Sequence, residues 1–299
     1  MLLLFAPLGT EKPLGPAHYQ EMKRMLETLG PGSDNPQGEV SAAELMRLGL
    51  GAEPAQQIIK RLGREQELER YLSSLQRLQV TALTRISPEY PKRLWQVLGE
   101  NAPMLLFCAG NLELLDTECV SLVGSRKLRT PGRQFARTLG QRAAEQGFTY
   151  VSGGAAGADT EGFFGAMGAG GRAVLFLADS LLGRMKRLRR ELAAGRLLLI
   201  SEQGCDLSFS AQRAHSRNRL IHAMGRKVFV AQSDYGSGGT WSGTVENLKA
   251  GWSPVYVCGA EPEDPGTSGL ASRGACPVLR EELTDLRKLE PGQMSLFPE

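Results

Sequence analysis

Between residues 120 and 257 short apolar runs alternate with stretches whose apolar residues recur every three or four positions. The runs are 120–123, 148–151, 173–177, 197–200, 228–231 and 255–257; the helical stretches between them are 132–145, 159–167, 181–194, 216–224 and 244–250. A nearly unbroken run of aliphatic residues suits a strand covered on both faces, and strands alternating with helices call for a parallel sheet. The pattern predicts an α/β, Rossmann-like domain with a mostly parallel sheet, helices on both faces and right-handed crossovers. Upstream, residues 19–29 and 54–75 carry helical spacing. Ser41-Ala42-Ala43-Glu44 has the form of a capping box, and Pro54 suits a first helical position. The stretch 30–38 is loop chemistry. Residues 1–80 are therefore expected to form a small helical domain. An extended bridge (80–84, 88–94, 104–110) leads into the main domain, 81–260, and its strands are expected to pack on the main sheet. From Glu261 the composition turns rich in Pro, Gly and Ser and then charged, which reads as a linker and C-terminal tail over 261–299.

Composition narrows the class. A 299-residue chain that is 41% hydrophobic and 22% charged can bury a sizeable core, which excludes a disordered chain. A net charge of +3 does not by itself argue for nucleic acid, so the positions of the basic residues must carry that case. Five cysteines without a CxxC, and only three histidines, argue against a zinc site; the cysteines read as small buried hydrophobes. No cofactor or metal is implied. The opening Met1-Leu2-Leu3-Leu4-Phe5-Ala6-Pro7 lacks the form of a signal peptide, and no apolar run reaches membrane-spanning length. The expectation is a reduced cytoplasmic protein with no membrane partner.

Candidate chemistry lies in the loops that follow the strands. Val123-Gly124-Ser125-Arg126-Lys127 and Val151-Ser152-Gly153-Gly154-Ala155-Ala156-Gly157-Ala158-Asp159 each follow an apolar run and open a helical stretch. Ligands of doubly wound sheets sit there, because glycines admit close approach and helix-start amides favour negative charge. Neither loop is a Walker A motif or a full GxGxxG, and tight strand-to-helix packing explains such glycines equally well. Arg126 and Lys127 tilt the reading toward an anion. Ser216-Arg217-Asn218-Arg219 reads as a helix start carrying two arginines against the helix dipole, which implies something acidic opposite them; burial against Glu202 is the rival. The third loop, Gly236-Ser237-Gly238-Gly239-Thr240-Trp241-Ser242-Gly243-Thr244, offers amides and hydroxyls. Trp241 suits a base platform or, more simply, the core. Arg184, Lys186, Arg187, Arg189 and Arg190 form the densest basic run, a solvated face or an extra phosphate contact. No nucleophile elbow appears. Asp159, Glu161 and Glu246 are the carboxylates near the loops.

Taken in order, Val123-Gly124-Ser125-Arg126, Ser152-Gly153-Gly154-Ala155-Ala156-Gly157-Ala158-Asp159, Ser201-Glu202 and Arg217-Asn218-Arg219 resemble the DprA/Smf (DNA-processing protein A) family. Ser87-Pro88-Glu89-Tyr90-Pro91-Lys92-Arg93-Leu94 and Gly110-Asn111 resemble its entry into the domain, so the likeness covers roughly 80–258. The helical start is similar, more weakly, to the family's small SAM/HhH-like domain. The resemblance implies a non-enzymatic, homodimeric single-stranded DNA-binding protein that hands its strand to a RecA-type recombinase in natural transformation. It carries DNA or phosphate binding onto Ser125, Arg126, Lys127, Gly153, Gly154, Gly157, Arg217, Asn218, Arg219, Ser237 and Gly238. The chain departs from the family at Gly162-Phe163, where an Ala-His pair is usual, and at Gln232, where an acidic residue commonly stands. The third loop also departs from the usual form. Gly238-Gly239 with Gly243-Thr244-Val245-Glu246 also resembles the cytokinin-activating phosphoribohydrolase (LOG) relatives. That likeness implies a nucleotide sensor or nucleoside-monophosphate hydrolase, with Glu246 and Asp159 as its catalytic carboxylates. Finally, Gln293-Met294-Ser295-Leu296-Phe297 resembles the pentapeptide that binds the bacterial sliding clamp.

Overall fold

The structure, a computed structural model, describes residues 2–8, 14, 41–47, 49–261 and 264–290. The helix expected at 19–29, the loop at 30–38 and the tail pentapeptide lie outside the described residues.

One sheet organises the molecule. Its nine strands are β1 (Thr81–Thr84), β2 (Leu105–Gly110), β3 (Cys119–Val123), β4 (Thr149–Ser152), β5 (Arg172–Phe176), β6 (Leu197–Ser201), β7 (Lys227–Val230), β8 (Val255–Cys258) and β9 (Cys276–Val278). They lie in the order β1-β2-β6-β5-β4-β3-β7-β8-β9. From β6 to β9 every pairing is parallel, while β1 and β2 attach antiparallel at one end. The apolar runs explain why: side chains alternate across a strand, and both sides here are buried. Val120 and Leu122 of β3 enter one core, Cys119 and Val123 the other. In β6, Leu197 and Leu199 divide from Leu198 and Ile200 in the same way. The thiols of Cys108, Cys119 and Cys258 are buried within this packing, and burial pushes Cys119 up to about 12.

Topology places the crevice. Successive strands move outward from β3 through β4, β5 and β6, then the chain crosses back to add β7, β8 and β9 on the other side. The winding direction reverses between β3 and β7, and a doubly wound sheet opens its binding crevice at the carboxyl ends of such strands.

Two helices that cover one face, Thr130–Glu145 and Ala158–Gly168, approach until their backbones touch. A Cβ on Gly140 would fall 1.9 Å from the Gly162 carbonyl oxygen, and one on Gly162 would fall 2.4 Å from the Tyr150 hydroxyl. Gly162 is thus required by local packing. Gly140→Ala is expected to cost about 1–3 kcal/mol in urea denaturation, because the obstruction is backbone rather than a movable side chain. Unchanged stability would show that the helix pair can separate freely.

The sheet does not end at Val257. The Pro265–Ala271 helix and β9 continue it, and Leu283 and Leu286 are fully buried. Lys227 Nζ donates to the carbonyls of Leu286 (2.7 Å) and Arg287 (2.9 Å). Residues 264–290 therefore belong to the domain rather than to a linker. Their few apolar anchors are too widely spaced to show a period.

Ahead of the sheet stand the helices Ala42–Arg47, Ala52–Leu62 and Glu65–Arg77. The capping box forms: Glu44 N donates to Ser41 Oγ and Ser41 N to Glu44 Oε2, each at 3.2 Å. Leu45, Leu50 and Ile58 build a separate small core with Leu4, Phe5 and Met104. The Glu65–Arg77 helix leans on the main core, where Tyr71 meets Phe107 edge-on at 6.3 Å. No helix of the described residues is long and apolar enough to cross a membrane.

Candidate functional site

At the switch point opens a cleft of about 720 Å³, within the size range of small-ligand sites. The loop after β3 supplies Gly124, Ser125, Arg126 and Lys127, and the loop after β7 supplies Gln232, Asp234, Ser237 and Gly238. Helix Ala211–Met224 contributes His215, Arg217 and Asn218 to the opposite wall, and Phe209 stands at its entrance.

Backbone bonds lock these loops together. Ser125 N donates to the Gln232 carbonyl (2.9 Å), and Ala158 N to the Ser125 carbonyl (3.2 Å). The Gln232 side chain accepts from Arg129 N at 2.8 Å and donates to the Lys127 carbonyl at 3.3 Å. An amide can do both, whereas an ionised carboxylate only accepts. That two-way bridge is the local reason for glutamine at this strand end.

The floor is a buried polar pair. Asp159 Oδ2 accepts from Gly153 N (3.2 Å) and Ala155 N (3.1 Å), which folds the β4 loop around the carboxylate. Burial pushes its pKa up, and the Arg217 charge and these amides oppose that shift. Arg217 is itself buried, and burial lowers its pKa against the pull of Asp159. Its guanidinium donates to the Phe176 carbonyl and lies against Gly153, where an added Cβ would fall 2.0 Å from Nη1. Gly157, at φ +84°, turns the chain so tightly that a Cβ there would meet the Ser125 carbonyl at 2.3 Å. Gly153 and Gly154 are buried. The glycines of the second loop thus serve close packing, and of that loop only Ala155 and Asp159 line the cleft.

The arginine pair divides. Helix Ala211–Met224 starts five residues before Ser216, capped by Ser210 Oγ accepting from Arg213 N at 3.2 Å. Residues 216–219 are therefore mid-helical, and the dipole argument for an acidic ligand does not apply to them. Residues two apart point about 200° apart around a helix. Arg219 accordingly faces away from the cleft, pairs with Glu202 at 2.8 Å and donates to the Asn101 carbonyl. Ser216 Oγ donates to the same Glu202 at 3.0 Å. Between the arginines, Asn218 Nδ2 donates to the Gly239 carbonyl (3.0 Å) and pins the third loop.

What faces solvent in the cleft is cationic and aromatic. Arg126 and Lys127 are exposed, and among the described residues neither has an acidic side chain within ion-pair distance. The Arg126 guanidinium lies 4.7 Å from the Phe209 ring, which is 50% exposed. Ser237 and Gly238 start the Gly238–Ala250 helix, whose first amides are not capped by the Ser237 side chain. His215 Nδ1 lies 3.2 Å from Ser242 Oγ. Phe209 is not singled out by the sequence; its one signal is an aromatic inside a serine-rich polar loop.

Other candidates fall elsewhere. Glu246 is exposed on the Gly238–Ala250 helix and does not line the cleft. Trp241 is buried in the core beside Leu270. Glu161 pairs with Arg133 (3.2 Å) and Arg137 (3.5 Å). The basic run is split at Leu188 into two short helices; Arg184 pairs with Asp179 at 2.9 Å while Lys186, Arg187, Arg189 and Arg190 stay exposed.

Fold and site together define a doubly wound α/β protein with a cleft at its switch point that exposes Arg126 and Lys127. The chain belongs to the DNA recombination-mediator protein A family, whose family model matches residues 81–282. It is 30% identical over 152 residues to DNA processing protein DprA of Streptococcus pneumoniae, a match covering 50% of this chain and 53% of that protein. It is 29% identical over 163 residues to Protein Smf of Synechocystis sp., covering 52% of this chain and 40% of that protein. With Protein Smf of Escherichia coli it shares 27% over 253 residues, 82% of this chain and 66% of that protein. The chain thus spans about half the length of the Synechocystis and Streptococcus relatives and about two thirds of the Escherichia coli one. The X-ray structure of DprA from Streptococcus pneumoniae superposes with a TM-score of 0.70 at 24% identity, over 91% of this chain and 93% of that one, and shows the same fold. A Helicobacter pylori DprA structure, described for its single-stranded DNA binding mode, matches with a TM-score of 0.56 at 26% identity, over 66% of this chain and 89% of that one.

Proposed function

We propose that the cleft binds single-stranded DNA without reading its sequence, and that the protein, as a homodimer, presents the strand to a RecA-type recombinase. The observation that carries the DNA reading is in the cleft, where Arg126 and Lys127 are exposed and, among the described residues, have no acidic side chain within ion-pair distance, and where Arg126 lies over the half-exposed Phe209 ring. A single strand offers phosphates to the cations and a base to the ring, and stacking is sequence-tolerant because every base has a π-face. Ser125 and the first amides of the Gly238–Ala250 helix add anion-accepting donors. Membership of a recombination-mediator family and the single-strand binding described for the Helicobacter pylori relative support the same reading. The hydrolase reading is less well supported, since Glu246 lies outside the cleft and Asp159, although it lines the cleft, is buried and engaged by the amides of Gly153 and Ala155.

The test is a salt series with oligothymidylate, duplex and mononucleotide. Arg126→Ala is expected to weaken oligonucleotide binding by about 1–3 kcal/mol and to flatten the salt slope by roughly 0.7 per lost phosphate contact. Wild-type binding by Arg126→Ala, or release of base from a mononucleotide, would remove this proposal.

A further inference from the structure

We infer that Tyr235 and Arg273 form a second nucleotide subsite beside the cleft, in which a base stacks on the tyrosine ring and a neighbouring phosphate meets the guanidinium. This rests on the single-strand reading above and extends the path of the strand toward β8.

Tyr235 follows β7 and lies between Asp234 and Ser237, both of which line the cleft. It leaves 58% of its surface in water, although the buried Trp241 beside it shows that the core could take an aromatic here. The ring is nevertheless held. Its centroid is 4.8 Å from that of Trp241. Gly269 leaves room for it, because a Cβ there would come within 2.5 Å of the tyrosine ring. The Arg273 guanidinium lies 4.9 Å from the Trp241 ring and 5.9 Å from Tyr235, and its Nη1 donates to the Gly269 carbonyl at 2.7 Å. Arg273 is exposed, and among the described residues it has no acidic side chain within ion-pair distance.

A ring packed on one side and open on the other loses little freedom when a base stacks on it. A cation beside it neutralises the phosphate that the base brings. Phe209 with Arg126 repeats this chemistry at the cleft entrance, so two half-exposed rings, each with its own guanidinium, border one cleft. A strand that fills the cleft has a further base to place, and Tyr235 is its platform.

Length dependence isolates the subsite. Wild type, Arg126→Ala, Tyr235→Ala, Tyr235→Phe and Arg273→Ala are titrated with thymidine monophosphate and oligothymidylates of increasing length. Wild-type affinity is expected to rise as the strand grows long enough to leave the cleft. Tyr235→Ala is expected to lose about five- to tenfold of that gain and nothing on the shortest ligands, while Tyr235→Phe keeps it. Arg273→Ala is expected to reduce the salt slope for long strands only. A ring that merely shields Trp241 would lower thermal stability on truncation and leave the length dependence alone. If Tyr235→Ala follows the wild-type length dependence while Arg126→Ala weakens every length, the subsite is overturned and the cleft reading stands. If Arg126→Ala binds like wild type, the cleft reading itself fails.

Discussion

Replacing Arg217 by Met is expected to destabilise the fold by about 3–5 kcal/mol and to abolish strand binding with it. The side chain is buried, and its charge is opposed by Asp159 in the floor of the same cleft. Removing it takes away the positive charge that opposes the burial of the Asp159 carboxylate and frees the Phe176 carbonyl. It also opens space against Gly153, so the β4 loop loses the surface that shapes it. Lysine is no substitute, because a point charge cannot lie flat on a peptide as a guanidinium does. Arg219→Ala is the matched control. It breaks the pair with Glu202 on the far side of the same helix and is expected to leave oligonucleotide affinity within twofold of wild type. Urea denaturation of both variants alongside anisotropy titrations decides the matter. A stable Arg217→Met protein that has lost affinity would mean that Arg217 touches DNA directly, and one that binds normally would remove its role in the floor.

The contrast between these two arginines shows what the sequence could reveal. Strands were legible because both faces of β3 to β8 are buried and their runs are therefore unbroken. β9 was not, since Cys276-Pro277-Val278 is too short to show a period, and its supporting residues are scattered through a Pro/Gly-rich stretch. The Ala211–Met224 helix was placed five residues late because its first turns are polar. Those turns border the cleft and solvent, so they bury no apolar stripe for a periodicity to detect. The late start put Arg217 and Arg219 at a helix terminus and on one surface, whereas mid-helix geometry separates them. Glycine loops marked the right end of the sheet, yet composition cannot distinguish a glycine facing a ligand from one facing a carbonyl. Gly157 faces the Ser125 carbonyl and Gly153 the Arg217 guanidinium, whereas Gly238 faces open space in the cleft. Arg126 and Lys127 were legible as cations after a strand. Phe209 and Tyr235 were not, because exposure is a property of the fold.

The same helix should also make the protein acid-labile above the range where most carboxylates titrate. His222 is fully buried, and burial lowers its pKa to about 3 from an ordinary 6.5. Asn247 Oδ1 accepts from Ser253 N at 3.0 Å, so its Nδ2 faces His222 Nδ1 at 3.1 Å. Nδ1 is therefore the acceptor and the ring proton sits on Nε2, which lies beside Gly243 and, among the described residues, has no hydrogen-bond partner. A proton added at Nδ1 would face the amide donor in a dry site. Because the folded pKa is depressed, the neutral ring contributes its full stability above about pH 6.5, and that stability is lost as pH falls toward 3. Below 6.5 the unfolded chain takes up a proton that the folded chain refuses, costing about 1.4 kcal/mol per pH unit. Asp159 acts with the opposite sign, since its raised pKa favours the folded state as pH falls, so absolute stability mixes the two groups. The difference between wild type and His222→Leu separates them. Between pH 6.5 and 5 the wild type is expected to lose about 2 kcal/mol more than the variant in urea denaturation. Parallel pH profiles would show that the folded protein protonates this ring. Because His215, Arg217 and Asn218 stand on the same helix, strand binding should fall along the same acid limb and recover in His222→Leu wherever that variant remains folded.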